Sequence, residues 1–318
     1  MNRRNILRAG RKEHEGVDSE QRTVNSDGMK KARMRACYTI EITTPKKFVL
    51  NGLWFGPRNP QRAIVWVHGL TSSAFSMSNV SRELVTKDTA VITFNNRGFG
   101  TINSIKRKVG RKSTHILGGA AHEIFAECAD DIQGAINFAR RQGAKKIYLI
   151  GHSTGCQKSV YWVSKRLSRC VKGIVLLAPI SDYAAELHLT GKRKIMKAAS
   201  AARALIRRGK KHELLPASLW STPIDAQRFL SLYTPESIEE IFSYAQPRKN
   251  PRTLKSARVP VLVVLAEKDE FADRPAHKIA EWFENHIREG KVVIIPRAPH
   301  GFKEAERPVA NTVQRWMN

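Results

Sequence analysis

Acidic residues are scarce in this chain: 28 Asp and Glu stand against 55 Lys and Arg over 318 residues, a formal charge of +27. Such an imbalance bears on solubility, steering and partners, and excludes nothing about fold. Nucleic acid, an anionic membrane surface and acidic substrates would all be attracted. No RNP-like aromatic motif or zinc-finger spacing accompanies the charge, so nucleic acid is not an expected partner, although the charge alone does not exclude one. Cysteine is sparse too. Cys37, Cys128, Cys156 and Cys170 form no CxxC pair and no compact framework, which argues against a disulfide scaffold and for a reducing, cytoplasmic setting. No run of 18 apolar residues occurs, so no transmembrane helix is expected. The basic start MNRRNILRAGRKEHEGVDSEQR also lacks the apolar stretch of a signal peptide, and a soluble chain is expected. There is no Walker-type or dinucleotide loop, no internal repeat and no low-complexity stretch. His115, His122 and Glu123 lie near one another without a metal-ligand spacing; His122 and Glu123 read as capping and charging the first turn of a helix. Neither a metal nor a cofactor is expected.

What is present is ordinary globular composition, 42% hydrophobic, in a chain long enough to bury one large core. Residues 1–35 are polar and aperiodic, and read as a mobile leader. From Cys37 onward, CYTIEITT, KKFVLNGLWF and RAIVWVHG read as strands. Ser78–Val85 reads as a helix, AVITFN as a strand, and Asn95 to about Gly119 as a long loop. A helix over His122–Arg141, the strand KKIYLIGHS, a helix over Thr154–Leu167 and the strand GIVLLAP follow. Strand and helix in alternation imply a mostly parallel sheet with helices on both faces. The rhythm breaks over 181–255, which is helix-like without a convincing strand, and resumes with RVPVLVVLAEKD, a helix near Ala276–His286, KVVIIPRAPH and a closing helix over Glu304–Trp316. The expected organisation is a core of 36–180 and 256–318, with 181–255 as a helical cap over the strand ends, the edge where ligands bind in open α/β sheets.

Gly151-His152-Ser153-Thr154-Gly155 matches G-x-S-x-G directly after a strand and directly before a helix, the context in which that motif presents a nucleophilic serine. A serine on so sharp a turn is held in a strained conformation, and the small flanking residues let neighbouring backbones approach. The acid and the base should follow in the order Ser, acid, His. Asp269 closes the strand VPVLVVLAEKD, and His300 lies 31 residues later on the loop after the last strand. Asp273 competes with Asp269 for the role of acid, and Glu267 and Glu270 are weaker rivals. A serine hydroxyl is a poor nucleophile near neutral pH until a neutral imidazole accepts its proton, and a carboxylate orients that imidazole. His68-Gly69-Leu70 follows the strand AIVWV, so the amides of Leu70 and Thr154 are candidate oxyanion donors. His68 and His152 read as structural.

The segments WVHGLTSS, NNRGFG, IGHSTGCQ, LAEKDEFAD and APHGF together resemble the α/β-hydrolase superfamily over roughly residues 37–318. GHSTGCQ with DAQRFLSLYTPES is similar to a branch that includes fungal hydrolases of siderophore esters. The resemblance implies an α/β-hydrolase fold with a helical cap and a serine hydrolase. It argues against relatives that carry aspartate at the elbow, such as haloalkane dehalogenases and epoxide hydrolases, and against dienelactone hydrolases, which carry cysteine there. Cys156 reads as a small packed residue.

The expected activity is hydrolysis of a small-molecule carboxylic ester, lactone or thioester through an acyl-enzyme on Ser153. The same residues would serve an amide or peptide hydrolase or an acyltransferase. A non-catalytic binding protein using the cap pocket and basic surface is the alternative of another class. Arg97 and the basic stretch to Lys112, together with the basic residues from Lys192 to Lys211, would favour an anionic ester if they lined the entrance; a solvated helix face is the simpler reading of the second group. Arg97 and Asp182 are the candidate substrate contacts.

Overall fold

The apolar runs assemble into an eight-stranded sheet in a computed structural model that describes residues 36–165 and 170–318. The expected leader lies outside the described residues, as does the end of the helix expected to reach Leu167. Strands β1 (Tyr38–Thr43), β2 (Val49–Phe55), β3 (Arg62–Val67) and β4 (Thr89–Phe94) begin the fold, with α1 (Ser78–Glu83) between the last two. A separate hairpin, β5 (Asn103–Val109) and β6 (Lys112–Gly118), precedes α2 (Cys128–Arg141), β7 (Lys146–His152), α3 (Thr154–Lys165) and β8 (Val171–Leu177). Four helices then run without a strand, α4 (Asp182–Thr190), α5 (Lys192–Arg207), α6 (Ala226–Tyr233) and α7 (Arg252–Lys255). β9 (Val261–Ala266), α8 (Ala276–Glu284), β10 (Gly290–Ile295) and α9 (Glu306–Met317) complete the chain.

The sheet order is β1-β2-β4-β3-β7-β8-β9-β10. β2 runs antiparallel to both its neighbours, β1 and β4, and the six strands from β4 to β10 are parallel. β4 and β9 are buried along their whole length because helices cover both faces, which explains their continuous apolar runs. One face packs Ile132, Ile136, Val160 and Phe283 from α2, α3 and α8; the other packs Val80 and Val309 from α1 and α9. This is a mostly parallel sheet with helices on both faces and an inserted helical region, the α/β-hydrolase fold.

The structure corrects the reading of residues 95–119 as a loop. Its middle is the β5–β6 hairpin, with Lys106 opposite His115 and Val109 opposite Lys112. Cation-rich strands exposed on most positions carry no hydrophobic alternation, and among them only Ile105 is driven into the core. The expected helix from His122 also starts later. A single 3-10 turn at Phe125–Glu127 leads into α2. Glu123 charges no helix turn: its carboxylate is buried against Lys158 of α3 at 2.5 Å and Arg228 of α6 at 2.9 Å.

The inserted region builds a small core of its own, with Ile195, Ala198 and Ala202 of α5 against Trp220, Phe229 and Leu232. Lys192, Arg193, Lys194, Lys197 and Arg203 lie on the exposed side of α5, a solvated basic face. Arg228, fully buried, also pairs with Glu239 at 2.5 Å, so one guanidinium spans the insertion and the loop before α2.

Candidate active site

The turn from β7 into α3 forces Ser153 into the left-handed region, with φ +54°. Its amide donates to the Leu177 carbonyl of β8 at 3.0 Å, and its carbonyl accepts from Cys156 N at 2.9 Å. Glycine is required on either side. A Cβ on Gly155 would lie 2.1 Å from the Val67 carbonyl oxygen, and one on Gly151 would lie 2.3 Å from that of Gly155. A non-glycine residue persists at such a φ only when its surroundings over-determine it, and such positions cluster at functional sites. The Cys156 thiol is buried, donates to the Gly151 and Leu177 carbonyls, and is pushed well up by burial; it is a packed residue with no nucleophilic character.

His300, on the loop after β10, places its ring Nδ1 2.8 Å from Asp269 Oδ2, both side chains being buried. Asp269 Oδ1 accepts from the amide of Phe271 at 3.0 Å, which fixes the carboxylate. The Phe271 ring meets the imidazole edge-on, 4.8 Å between centroids. Asp273 instead closes on its neighbour Arg274, at 2.8 to 3.2 Å. Glu267 and Glu270 hold the loop, accepting from Arg297 N at 2.7 Å and His300 N at 2.9 Å.

Ser153 and His300 line one cavity of about 300 Å³, at the C-terminal ends of the parallel strands. Leu70, Thr71 and Ser72 contribute one side, Asp182, Ala185, Glu186 and Leu189 of α4 another, and Tyr233 and Phe271 complete it. Gly69 passes so close to Ser153 that a Cβ there would lie 2.9 Å from the serine Cβ. Leu70 follows it and packs against the core of the insertion, and Thr154 is the first residue of α3. The two residues therefore reach the neighbourhood of Ser153 on separate backbone segments.

His68 and His152 are held neutral. Burial, aided by Lys158, lowers His68 to about 4; its Nδ1 donates to the Gly69 carbonyl while its Nε2 accepts from Asn96 N. His152 falls to about 4 through burial and the nearby His300, and its Nε2 donates to the His300 carbonyl at 3.0 Å. Both shape loops.

The expectation that Arg97 contacts substrate is corrected. Its guanidinium is buried against Asp131 at 2.8 Å, Glu127 at 3.1 Å and Asp130 at 3.3 Å, and it does not line the Ser153 cavity. A lone Arg after a strand carried no sign of the α2 carboxylates that claim it. Asp182 does line the cavity, and its Oδ2 accepts from Gln157 Nε2 at 2.7 Å. Sequence reasoning missed Gln157, Glu186, Leu189, Tyr233 and Phe271. The spacing 182, 185, 186, 189 was the available signal for the α4 residues, since those positions share one helical face. Among the described residues no cluster of three or more His, Cys, Asp or Glu is placed to hold a metal, and no helix is long and apolar enough to cross a membrane.

Residues 105–317 match the family described as "Protein of unknown function (DUF1749)". The UPF0613 protein PB24D3.06c of Schizosaccharomyces pombe is 25% identical over 217 residues, 59% of this chain and 67% of that protein. Among solved structures, the siderophore hydrolase EstB of Aspergillus fumigatus superposes with a TM-score of 0.63 at 18% identity, over 89% of this chain and 97% of the other. The Pyrococcus furiosus esterase Pf2001 gives 0.55 at 18% identity, over 89% and 92%. At these identities the structural likeness is one of fold.

Proposed function

We propose that this chain, which belongs to the DUF1749 family, is a serine hydrolase that cleaves carboxylic esters through an acyl-enzyme on Ser153. One observation carries the reading: a serine held at φ +54° between a strand and a helix shares a cavity with an imidazole whose Nδ1 is taken by a buried carboxylate. The strand–serine–helix turn acts as the nucleophile elbow. Because Asp269 occupies Nδ1, the lone pair on Nε2 is the one available as base. Asp269, rather than Asp273, is the orienting acid, and the α4–α7 region serves as the cap, supplying cavity wall from α4 and α6.

The reaction follows from these placements. Ser153 Oγ attacks the ester carbonyl as its proton passes to His300 Nε2, and Asp269 stabilises the imidazolium. The carbonyl electron pair moves to oxygen, which the amides of Leu70 and Thr154 hold as an oxyanion. Collapse expels the alcohol, which takes the proton from Nε2, leaving the acyl group on Ser153. Water then attacks, gives its proton to Nε2, and the second collapse releases the acid and returns that proton to Oγ. The closing step restores the enzyme.

Covalent labelling by a fluorophosphonate probe tests the reading. The wild type is expected to label and to hydrolyse short aryl esters; Ser153→Ala should lose labelling and about 10⁴-fold or more of kcat, with its circular dichroism unchanged. Wild-type protein left unlabelled beside a reactive control hydrolase would end the proposal.

A further inference from the structure

The mechanism leaves one wall of the Ser153 cavity unused, and that wall is acidic. Asp182 and Glu186 stand one helical turn apart on α4 and both line the cavity, with the Tyr233 ring beside them. No Lys or Arg lines it, in a chain that carries 55 of them. Asp182 is fixed in place. Gln157, four residues beyond the nucleophile on α3, donates from Nε2 both to Asp182 Oδ2 at 2.7 Å and to the Ile180 carbonyl at 2.9 Å. Glu186 is tied through Oε1 to the Thr190 hydroxyl. Among the described residues, neither carboxyl forms an ion pair with a Lys or Arg, although Asp182 is only 9% exposed. Burial, with Glu239 and Glu240 behind it, pushes the Asp182 carboxyl well up, against the smaller opposing pull of Arg228 and Lys158. A buried carboxyl with no cation at pairing distance is held toward its neutral form, and a cation that arrives with a ligand favours its ionised form.

We propose that Asp182 and Glu186 make the cavity selective for esters that carry a cationic group, an ammonium or guanidinium on the part of the substrate lying against α4. Asp182 is the principal determinant. The inference rests on Ser153 as the nucleophile and reverses the expectation of an anionic substrate. The overall charge of +27 favours anions only over the outer surface. That field is screened beyond a Debye length of about 8–10 Å in ordinary salt. A cation inside the cavity meets one buried and one half-buried carboxyl on its wall, favours their ionised form, and is screened less there than over the outer surface. The near term wins.

Three nitrophenyl esters of similar acyl length separate the possibilities: 4-(trimethylammonio)butanoate, its neutral isostere 5,5-dimethylhexanoate, and the anionic hemi-adipate. For the wild type, kcat/KM should favour the cationic ester over the isostere by about tenfold, the factor that corresponds to roughly 1.4 kcal/mol, and place the anionic ester last. Asp182→Asn should bring the cation-to-neutral ratio close to one, and Glu186→Gln should reduce it partly. Because the ratio is taken within one protein, a general loss of activity does not mimic the effect. Where turnover is slow, the three compounds ranked as competitors of fluorophosphonate labelling give the same comparison. A wild type that labels yet treats the cationic ester no better than the isostere overturns this inference and leaves the Ser153 reading standing. A ratio unmoved by both substitutions overturns it as well. Absence of labelling and of turnover overturns the nucleophile itself.

Discussion

At the residue scale, the competition between two aspartates for one histidine is decided by what else each carboxylate can reach. Asp269 meets the imidazole at 2.8 Å and is braced by the Phe271 amide. Asp273 is consumed by a multidentate bond to the next residue, Arg274, whose Nη1 in turn donates to the Tyr244 carbonyl. Asp269→Asn should therefore lower kcat on an aryl ester by about 10⁴-fold, since an amide no longer selects the tautomer with a free Nε2. Asp273→Asn should cost less than tenfold. Equal losses in steady-state kinetics would remove Asp269 from its assigned role. The motif alone located the serine, because strand, glycine spacing and helix are all local features. It left the acid open, because nothing in the spacing of 269 and 273 says which side chain Arg274 captures.

At the scale of elements, the insertion is held to the α/β core by charge as well as by apolar contact. Glu123, before α2, receives Lys158 from α3 and Arg228 from α6, and Arg228 also reaches Glu239. Taking these groups out of water is costly, and the arrangement is sustained only while every partner is present. Arg228→Met should leave Glu239 without its cation and Glu123 with Lys158 alone, and lower unfolding free energy by about 3–5 kcal/mol in urea titration. Activity should fall with it, because α6 also brings Tyr233 to the cavity. A change below 1 kcal/mol would show that the network carries little of the stability. The β5–β6 hairpin illustrates the opposite case. Its strands bury little, so no hydrophobic period marks them, and their pairing is visible only once the backbone is in place.

For the whole molecule, the buried titratable groups predict how stability responds to pH. His68 and His152, lowered from 6.5 to about 4, contribute stability that is present above 6.5 and lost as pH falls toward 4. Glu240 acts in the other direction. Burial raises it from 4.5 to about 7 even though Ser181 and Gln246 donate to it, so its contribution is present below 4.5 and lost as pH rises through 7. Glu240→Gln removes the falling contribution and keeps an acceptor for Ser181. Its stability should rise relative to wild type between pH 4.5 and 7, by up to about 1.4 kcal/mol per pH unit. Parallel curves for the two proteins across that window would rule out the raised carboxyl.

The sequence by itself determined the alternation of strands and helices, the helical character of 181–255, and the serine turn. Each is written in residues close together along the chain, through hydrophobic period or glycine spacing, and local sterics read both. Tertiary structure alone decided which aspartate faces His300, that Arg97 is spent on α2, and that the cavity wall is acidic in a strongly basic chain. Those outcomes depend on side chains separated by tens of residues meeting in a dry interior, where each charge must find a specific partner or leave its place for a ligand.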